Sequence, residues 1–329
     1  MGKKHILMLL ALLNVIGLVA NIYCGSASIS LSDITDVLTG NSIGDSATSY
    51  IVLHSRIPAS FTALLTGASL GVCGLLLQSY FRNPLAGPSI LGITSGANLA
   101  VAICTLGFGI IPGFTLTMSA MAGAMLILLI LLALSKIVRQ AVTLLIVGIL
   151  ISYLTNAIIT LLNYYSTAEG VQSLLIWGMG NFNGVGSGNL LLFSLLNLTG
   201  IGMSVFLIKP LNGWMLGEQY AANLGISIAR TRLLTLATPG LLSAVTTAYC
   251  GPIAFVGLSV PHVARMMMRT DNHRSLLPAS ALLGAFCTLL CLFISTLPSG
   301  GKILPINALT PIIGIPVIVN VILCKNTKN

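Results

Sequence analysis

Long, continuously apolar segments separated by short polar stretches dominate the chain. Residues 118–134, for example, include no charged side chain. A helix that crosses a bilayer needs about 20 mostly apolar residues, whereas the strands of a membrane barrel alternate polar and apolar positions. The pattern therefore predicts an all-α integral membrane protein of about ten transmembrane helices, forming a single transmembrane domain over residues 1–329. The predicted spans are 6–24, 57–80, 90–108, 114–135, 141–163, 189–208, 232–250, 253–268, 276–297 and 308–324.

The first span and two of the connecting segments have patterns of their own. Lys3 and Lys4 precede an apolar run that is too long for the core of a cleaved signal peptide, so we expect a retained first helix. Segment 165–188 mixes apolar residues with Gly and Asn, which favours a short interfacial helix outside the membrane. Residues 32–38 combine Ser32 as an N-cap with early acids and an apolar stripe, and they predict a short helix on the outer face.

Composition excludes most soluble proteins. The chain is 56% hydrophobic and 6% charged, whereas a soluble domain has about 25% charged residues. The net charge of +9 does not indicate nucleic-acid binding, because no block of basic residues with interleaved aromatics occurs. None of the seven cysteines has the C-x-x-C spacing of a structural zinc site. We therefore expect no metal site, no cofactor and no nucleic-acid partner.

The positions of the basic residues test the topology, since short cytoplasmic loops carry an excess of Lys and Arg. With the N-terminus in the cytoplasm, only Arg56 and Lys302 of the 15 basic residues fall on the outer side. Four of the six acids also lie outside. We therefore expect a multi-pass protein of the bacterial inner (plasma) membrane with both termini cytoplasmic. The cytoplasmic basic residues are Lys3, Lys4, Arg82, Lys136, Arg139, Lys209, Arg230, Arg232, Arg265, Arg269, Arg274, Lys325 and Lys328.

No charged group inside the spans offers a means of coupling transport to an ion gradient. A secondary transporter usually carries ionisable residues within its helices, but no Asp or Glu falls in mid-span here. The chain also lacks a G-x-x-x-x-G-K-[ST] phosphate loop. Energy from ATP would therefore come from a separate ATPase subunit. Uncharged side chains supply the polarity within the spans. We expect any single one of them to serve as a hydrogen-bond partner between helices, and the set together to line a weakly binding passage: Gln78, Asn98, Ser152, Thr155, Asn156 and Thr160.

The longest cytoplasmic connection, 209–232, contains a run of helix-forming residues between Gly217 and Gly225. A structureless loop of this length is unusual unless something binds it. We therefore predict a short amphipathic helix at residues 218–224 as the contact for the ATPase.

Two other classes of function remain open at this point. The first is a secondary transporter or passive channel that works alone. The second is an intramembrane enzyme, which would need a nucleophile–base pair or a metal cluster within the spans. The four histidines lie near helix ends and provide neither, so we predict no catalytic residue and no enzyme activity.

Several motifs, in order and spacing from about residue 50 to the C-terminus, resemble the FecCD family of ABC importer permeases. In the first half they are Arg56-Ile57-Pro58, Gly67-Ala68, Gln78, Arg82-Asn83-Pro84-Leu85-Ala86 and Leu91-Gly92-Ile93-Thr94-Ser95-Gly96-Ala97. In the second half they are Leu216-Gly217-Glu218, Ala221, Leu224-Gly225, Gly251-Pro252-Ile253-Ala254-Phe255-Val256-Gly257-Leu258 and Pro261-His262-Val263-Ala264-Arg265.

The resemblance implies the other parts of a type II importer. It implies a BtuC-like ABC permease fold with ten helices per subunit, embedded in membrane lipid and paired as a homodimer with the passage at the dimer interface. Two ATP-binding cassette ATPase subunits would bind on the cytoplasmic side, and an extracytoplasmic substrate-binding protein would dock outside. The substrates implied are large metal chelates, namely ferric siderophores, haem or vitamin B12.

The resemblance also implies roles for individual residues. Asn83 and Leu85, with Thr143 on the facing segment, match the inner gate. Arg56 matches a cation that meets acidic residues of the binding protein. A second Arg commonly follows in the family, but Ala59 stands at that position here, and we expect Lys302 to replace it. The residues that match the ATPase-coupling helix are Gly217, Glu218, Ala221, Leu224 and Gly225.

Overall fold

The computed structural model describes residues 2–40, 46–109, 113–138, 140–297 and 303–326. Every regular element within these residues is helical. The α-helices are α1 (Lys3–Tyr23), α2 (Leu31–Thr39), α3 (Ser46–Ile51), α4 (Ile57–Phe81), α5 (Ile93–Ala102), α6 (Phe114–Ile137), α7 (Ala141–Tyr165), α8 (Ala168–Gly178), α9 (Ser187–Phe206), α10 (Ile208–Met215), α11 (Glu218–Asn223), α12 (Ile228–Cys250), α13 (Val256–Met268), α14 (His273–Thr296) and α15 (Ile306–Asn326).

A helix coincides with each of the ten predicted spans, which confirms the all-helical membrane fold. Among the described residues, seven helical segments are long and apolar enough to cross a bilayer. They correspond to α1, α4 with the turns before it, α6, α7, α9, α12 and α14. The other three predicted spans coincide with α5, α13 and α15. The count of ten membrane crossings therefore stays a prediction.

The segment before α4 is helical, although the sequence predicts a loop there. Helix α3 continues through a π-helical turn, Val52–Arg56, directly into α4. Pro58 at the start of α4 has no N–H and would clash with the carbonyl four residues earlier in a regular helix. The wider π turn immediately before it accommodates the ring, so the chain continues without a break.

Helix α4 is the centre of the structure, and glycines bring its backbone against its neighbours. A Cβ added at Gly67 would overlap the backbone of Gly284 in α14, and one added at Gly284 would overlap Gly67. A Cβ at Gly74 would overlap the carbonyl of Gly257 in α13. Small residues at helix crossings allow this close approach in membrane proteins, where packing replaces the hydrophobic driving force.

Uncharged polar side chains join the long helices. Thr288 in α14 donates a hydrogen bond to the carbonyl of Ala63 in α4 at 2.7 Å. Ser69 in α4 donates to Asn197 in α9 at 2.6 Å. Asn14 in α1 donates to the carbonyl of Leu282 in α14 at 2.9 Å. These bonds satisfy polar atoms away from water and fix the helix register.

The two predicted short helices outside the spans both occur. Helix α8 lies within segment 165–188. Helix α2 buries Ile34 of its predicted apolar stripe. Its N-cap, however, is Ser30 and not Ser32, because the Ser30 hydroxyl accepts the hydrogen bond from the N–H of Asp33 at 3.2 Å. The N-cap therefore lies two residues earlier than predicted.

The described acids avoid the long helices, as the sequence predicts. Asp33 and Asp36 lie in α2, Glu169 in the first turn of α8, and Glu218 in α11. Asp271 lies between α13 and α14. Within the described part of the chain, no carboxylate is therefore placed in mid-span.

Candidate functional site

The predicted coupling segment forms two short helices, α10 and α11. Gly217 separates them with φ +127°, and Gly225 ends the second with φ +78°. Side chains with a Cβ rarely adopt such φ values, so glycine is required at both corners. The prediction of a glycine-bounded helix at 218–224 is therefore confirmed, although the sequence did not indicate that α10 precedes it.

Helix α11 has one inward and one outward face. Ala221 is fully buried, whereas Leu224 is 58% exposed. Leu216 and Tyr220 are also more than half exposed, and together with Leu224 they form an apolar surface that we call the coupling ridge. Solvent-exposed apolar side chains on a short polar segment are typical of a protein contact. The sequence motifs include Leu216 and Leu224, whereas Tyr220 was not singled out.

An ion pair anchors α11 to the long helices. Glu218 Oε1 lies 3.4 Å from Nη2 of Arg232 in α12. The other terminal nitrogen of Arg232 donates to the carbonyl of Val138, just after α6, at 3.4 Å. Glu218 therefore holds the coupling helix against the ends of two long helices. The sequence assigned Glu218 to the ATPase contact, and the structure gives it this second, internal partner.

The segment after α4 contains the predicted gate residues and has a fixed local structure. Arg82 ends α4 in the left-handed conformation. The side-chain oxygen of Asn83 accepts a hydrogen bond from the N–H of Leu85 at 2.9 Å, and its carbonyl accepts one from Ala86 at 3.1 Å. These bonds close a tight turn that leaves Leu85 more than half exposed. We call residues 82–86 the gate loop.

Helix α13 holds the gate loop from one side. His262 Nε2 lies 2.8 Å from the carbonyl oxygen of Pro84. One turn further on, Arg265 donates to the side-chain oxygen of Gln78 at 2.7 Å, and Gln78 donates to the carbonyl of Leu258 at 3.0 Å. Gln78 is buried. Gln78 therefore serves as the hydrogen-bond partner between helices that is expected of any single polar residue in the spans, because both of its polar atoms join α4 to α13.

A second cluster joins the end of α4 to α10, and we call it the α4–α10 joint. His273 at the start of α14 is 1% exposed. Its Nδ1 donates to the side-chain oxygen of Asn212 in α10 at 2.8 Å, and its Nε2 lies 2.7 Å from the hydroxyl of Ser79 in α4. Arg82 donates to the carbonyl of Trp214 in α10. These five residues connect the coupling segment directly with the helix that leads into the gate loop.

The sequence did not predict this joint. Ser79, Asn212 and His273 are far apart along the chain, and Ser and Asn in apolar segments are common as local hydrogen-bond partners. A single histidine at a helix start carries no signal for its partners. Only the packing of α4, α10 and α14 brings the three side chains together.

The third predicted gate residue, Thr143, lies on another element. It is exposed in the first turn of α7, and its hydroxyl donates to the side-chain oxygen of Gln140 at 3.4 Å. The α4–α10 joint holds the gate loop at Arg82, and His262 holds it at Pro84, between Asn83 and Leu85. The hydrogen bond of Thr143, by contrast, is local to the start of α7. Its gate role stays a prediction.

Arg56, predicted to meet the binding protein, is buried. It is 8% exposed, and its guanidinium donates to the carbonyls of Ile22 at 3.1 Å, Tyr23 at 2.9 Å and Ala27 at 2.6 Å. A cation at these carbonyls stabilises the C-terminal end of α1. The expectation of a free surface cation is therefore corrected, and the docking role stays a prediction. Lys302 lies outside the described residues.

Comparisons with known proteins agree with this arrangement. The sequence matches the model of the FecCD transport family over residues 12–324. It is 36% identical over 272 residues to the vitamin B12 import system permease protein BtuC of Escherichia coli O157:H7, covering 82% of each chain. BtuC of Salmonella typhi gives the same identity and coverage.

Solved structures show the same fold. One, described as an inward-facing conformation of a metal-chelate type ABC transporter, superposes with a TM-score of 0.85 and 32% identity, over 97% of this chain and 99% of that one. PsaBC from Streptococcus pneumoniae, solved with a Fab, gives a TM-score of 0.59 and 17% identity over 88% and 95% of the two chains. The latter likeness shows the fold alone. With the family model matching nearly the whole chain, this multi-pass membrane protein belongs to the FecCD transport family.

Proposed function

We propose that the chain is the permease subunit of an ATP-driven importer that moves vitamin B12 or a related metal chelate across the bacterial inner membrane. The BtuC relatives, whose names specify vitamin B12 import, support this substrate most directly. The structural neighbour described as a metal-chelate type transporter supports the wider class. Ferric siderophores and haem belong to that wider class.

The proposed assembly has three kinds of protein component. Two copies of the chain, each a single transmembrane domain over residues 1–329, pair as a homodimer around the passage, with both termini in the cytoplasm. Two ATPase subunits bind the coupling ridges, and an extracytoplasmic binding protein delivers the chelate. The sequence contains no G-x-x-x-x-G-K-[ST] phosphate loop, and in this proposal the ATPase subunits hydrolyse ATP while the chain contributes the movement of its helices.

The observation that carries the proposal is the continuous connection from the coupling ridge to the gate loop. Ala221 is buried beneath the ridge, and the Glu218–Arg232 pair holds α11 to α12. Helix α10 is joined through Asn212 and Trp214 to the end of α4. The gate loop follows directly. Movement of the ATPase subunits against the ridge would therefore reach the gate loop through connected polar contacts, some buried, as at His273, and some exposed, as at Arg82.

On the outer side, we propose that Arg56 contributes to docking by ordering the segment that follows α1. Its three carbonyl partners fix residues 22–27, which lead into α2. Asp33 and Asp36 of α2 are exposed nearby in sequence. We propose that Lys302 supplies the cation for the acidic groups of the binding protein.

A matched pair of double variants tests the coupling role. Glu218→Ala with Leu224→Ala removes the anchor and one residue of the ridge. Asp36→Ala with Leu38→Ala makes the same chemical change on α2, another short helix with an exposed acid and an exposed leucine. Both variants are reconstituted in liposomes with the ATPase subunits and the binding protein, and vitamin B12 uptake and ATP hydrolysis are measured together.

We expect the first double variant to lose at least about tenfold in uptake per ATP hydrolysed, and the α2 variant to retain the wild-type ratio. Equal ratios in all three proteins would remove the coupling assignment. Uptake by the chain alone, driven by an ion gradient without ATP, would instead establish a secondary transporter. Uptake of haem or a ferric siderophore in place of vitamin B12 would keep the mechanism and change the substrate.

A further inference from the structure

A cavity of about 920 Å³ lies where three long helices end or begin. Helix α6 ends at Ile137, α7 begins at Ala141 and α12 begins at Ile228. All three helices are long and apolar enough to cross a bilayer. Because their ends lie at the edge of the hydrocarbon layer, the cavity opens at the depth of the lipid head groups.

Two helix N-termini face this cavity without the usual caps. Gln140 precedes α7 and Ser227 precedes α12, and neither side chain accepts a hydrogen bond from its helix. Neither first turn contains an acid. A helix N-terminus carries roughly half a positive charge on its free N–H groups and is a ready binding site for anions. Two of them at one cavity favour a negatively charged occupant.

Two cations beside the same cavity have no acidic partner. Lys136 and Arg230 line it and form no ion pair within the described part of the chain, whereas Glu218 pairs with Arg232. Arg230 lies in the first turn of α12, where a positive side chain is unfavourable because it adds to the charge of the helix end. An unfavourable positive charge in a helix first turn is expected at a site where a ligand supplies the compensating negative charge.

The cavity also has an apolar wall, formed by Trp214, Ile228 and Leu233. A soluble phosphate would gain nothing from that wall, whereas a lipid would contact it with its glycerol and acyl region. Tryptophan is typical of the membrane–water interface. We propose that this cavity binds one anionic phospholipid, with its phosphate at Lys136, Arg230 and the two helix N-termini. The lipid would then lie directly against α11 and its Glu218–Arg232 anchor.

Native mass spectrometry of the full chain in phosphatidylglycerol and phosphatidylcholine mixtures tests this proposal. The test variant is Lys136→Gln with Arg230→Gln, and the control is Lys209→Gln with Arg274→Gln, which removes two exposed cations that do not line the cavity. A basic residue near the membrane surface contributes about fivefold to anionic lipid binding. We expect wild type and control to retain one phosphatidylglycerol preferentially, and the test variant to lose at least about tenfold of that preference.

Three results would overturn the proposal. An equal loss of the phosphatidylglycerol preference in the test and control variants would mean that the lipid is attracted by overall charge and not by this cavity. Displacement of the lipid by millimolar inorganic phosphate would indicate a site for a soluble anion. Displacement by the ATPase subunits would assign the cavity to the protein contact. Lipid binding does not depend on transport, so each of these outcomes leaves the proposed function standing.

Discussion

Helices α4 and α7 have the same length and look alike in a search for apolar spans, yet they occupy opposite environments. Each contains 25 residues, of which 22 are buried in α4 and four in α7. Along α4, glycines allow other helices to approach its backbone on several sides. Along α7, large side chains such as Tyr153, Leu154 and Tyr164 remain exposed. Apolar length predicts that a helix enters the membrane, whereas small residues decide how deeply it is enclosed by protein.

The difference also separates two kinds of polar residue. In α4 and its neighbours, polar side chains are buried and bonded across helices, as with Ser69 and Asn197. In α7, Asn156 and Thr160 are exposed, and the hydroxyl of Thr160 donates to the carbonyl of Asn156 in the same helix at 2.9 Å. In the proposed homodimer, this exposed helix is available to the partner or to the passage. The α4 region serves as the rigid support.

The largest expected loss of stability comes from a substitution at the backbone contact between α4 and α13. Gly74→Ala places a Cβ on the carbonyl of Gly257. The atoms that it would overlap all belong to the backbone of Gly257, so no flexible side chain can move out of the way. We expect a loss of at least about 3 kcal/mol in stability, seen as a much lower melting temperature in detergent or as failure to accumulate. Gly202→Ala in α9 is the control.

Gly202 has open space where its Cβ would be. Alanine there is expected to be neutral or stabilising by about 0.5–1 kcal/mol, since glycine is the weaker helix former. Comparable melting temperatures for the two variants would contradict the view that α4 is enclosed by backbone contacts.

The next effect concerns the α4–α10 joint. His273→Ala removes both ring contacts, to Asn212 and to Ser79, while the Asn212 oxygen keeps the backbone N–H of residue 273 and Ser79 keeps its bond to the carbonyl of Leu75. A hydrogen bond contributes about 0.5–1.5 kcal/mol net, so the loss of two such contacts weakens the connection from the coupling segment to α4. We expect reconstituted transporter to lose at least about fivefold in uptake per ATP hydrolysed, with the ATPase subunits still bound.

His5→Ala is the control for this variant, because His5 is exposed at the start of α1. Rescue by His273→Gln, which can still donate and accept, would indicate that the hydrogen bonds matter and not the ring. A normal coupling ratio in His273→Ala would show that the ridge communicates with the gate loop by another route.

The sequence predicted the helical membrane fold well because each long helix must be apolar over most of its length. Helix α11 was also predicted, since Gly217 and Gly225 mark its ends and helix formers lie between them, and its role as the ATPase contact stays a prediction. Both predictions depend on local patterns. Boundaries were less accurate where a local signal was ambiguous, as with Ser30 and Ser32 at the start of α2.

Roles that depend on distant contacts could not be read from the sequence. Arg56 stands out as an isolated outer cation, but the carbonyls that enclose it belong to a segment about 30 residues earlier. Gln78 is expected to bond between helices, but its partners Arg265 and Leu258 are known only once α13 is packed beside α4. The side-chain hydrogen bonds of His273 in the α4–α10 joint connect three polar residues on three helices. In each case, tertiary packing decides which polar atoms are left free.

The smallest expected effect compares one threonine from each environment. Thr288→Val removes the hydrogen bond from α14 to the carbonyl of Ala63 in α4 while keeping the side chain's shape. Hydrogen bonds between membrane helices contribute on average about 0.6 kcal/mol and at most about 1.7 kcal/mol. Thr160→Val makes the same change on the exposed side of α7, where the lost bond is local to the helix. We expect a measurable decrease in melting temperature for Thr288→Val alone. Both changes replace a hydroxyl by a methyl group. Equal decreases in melting temperature would therefore mean that the buried hydrogen bond between α14 and α4 contributes no more to stability than the exposed, local bond in α7.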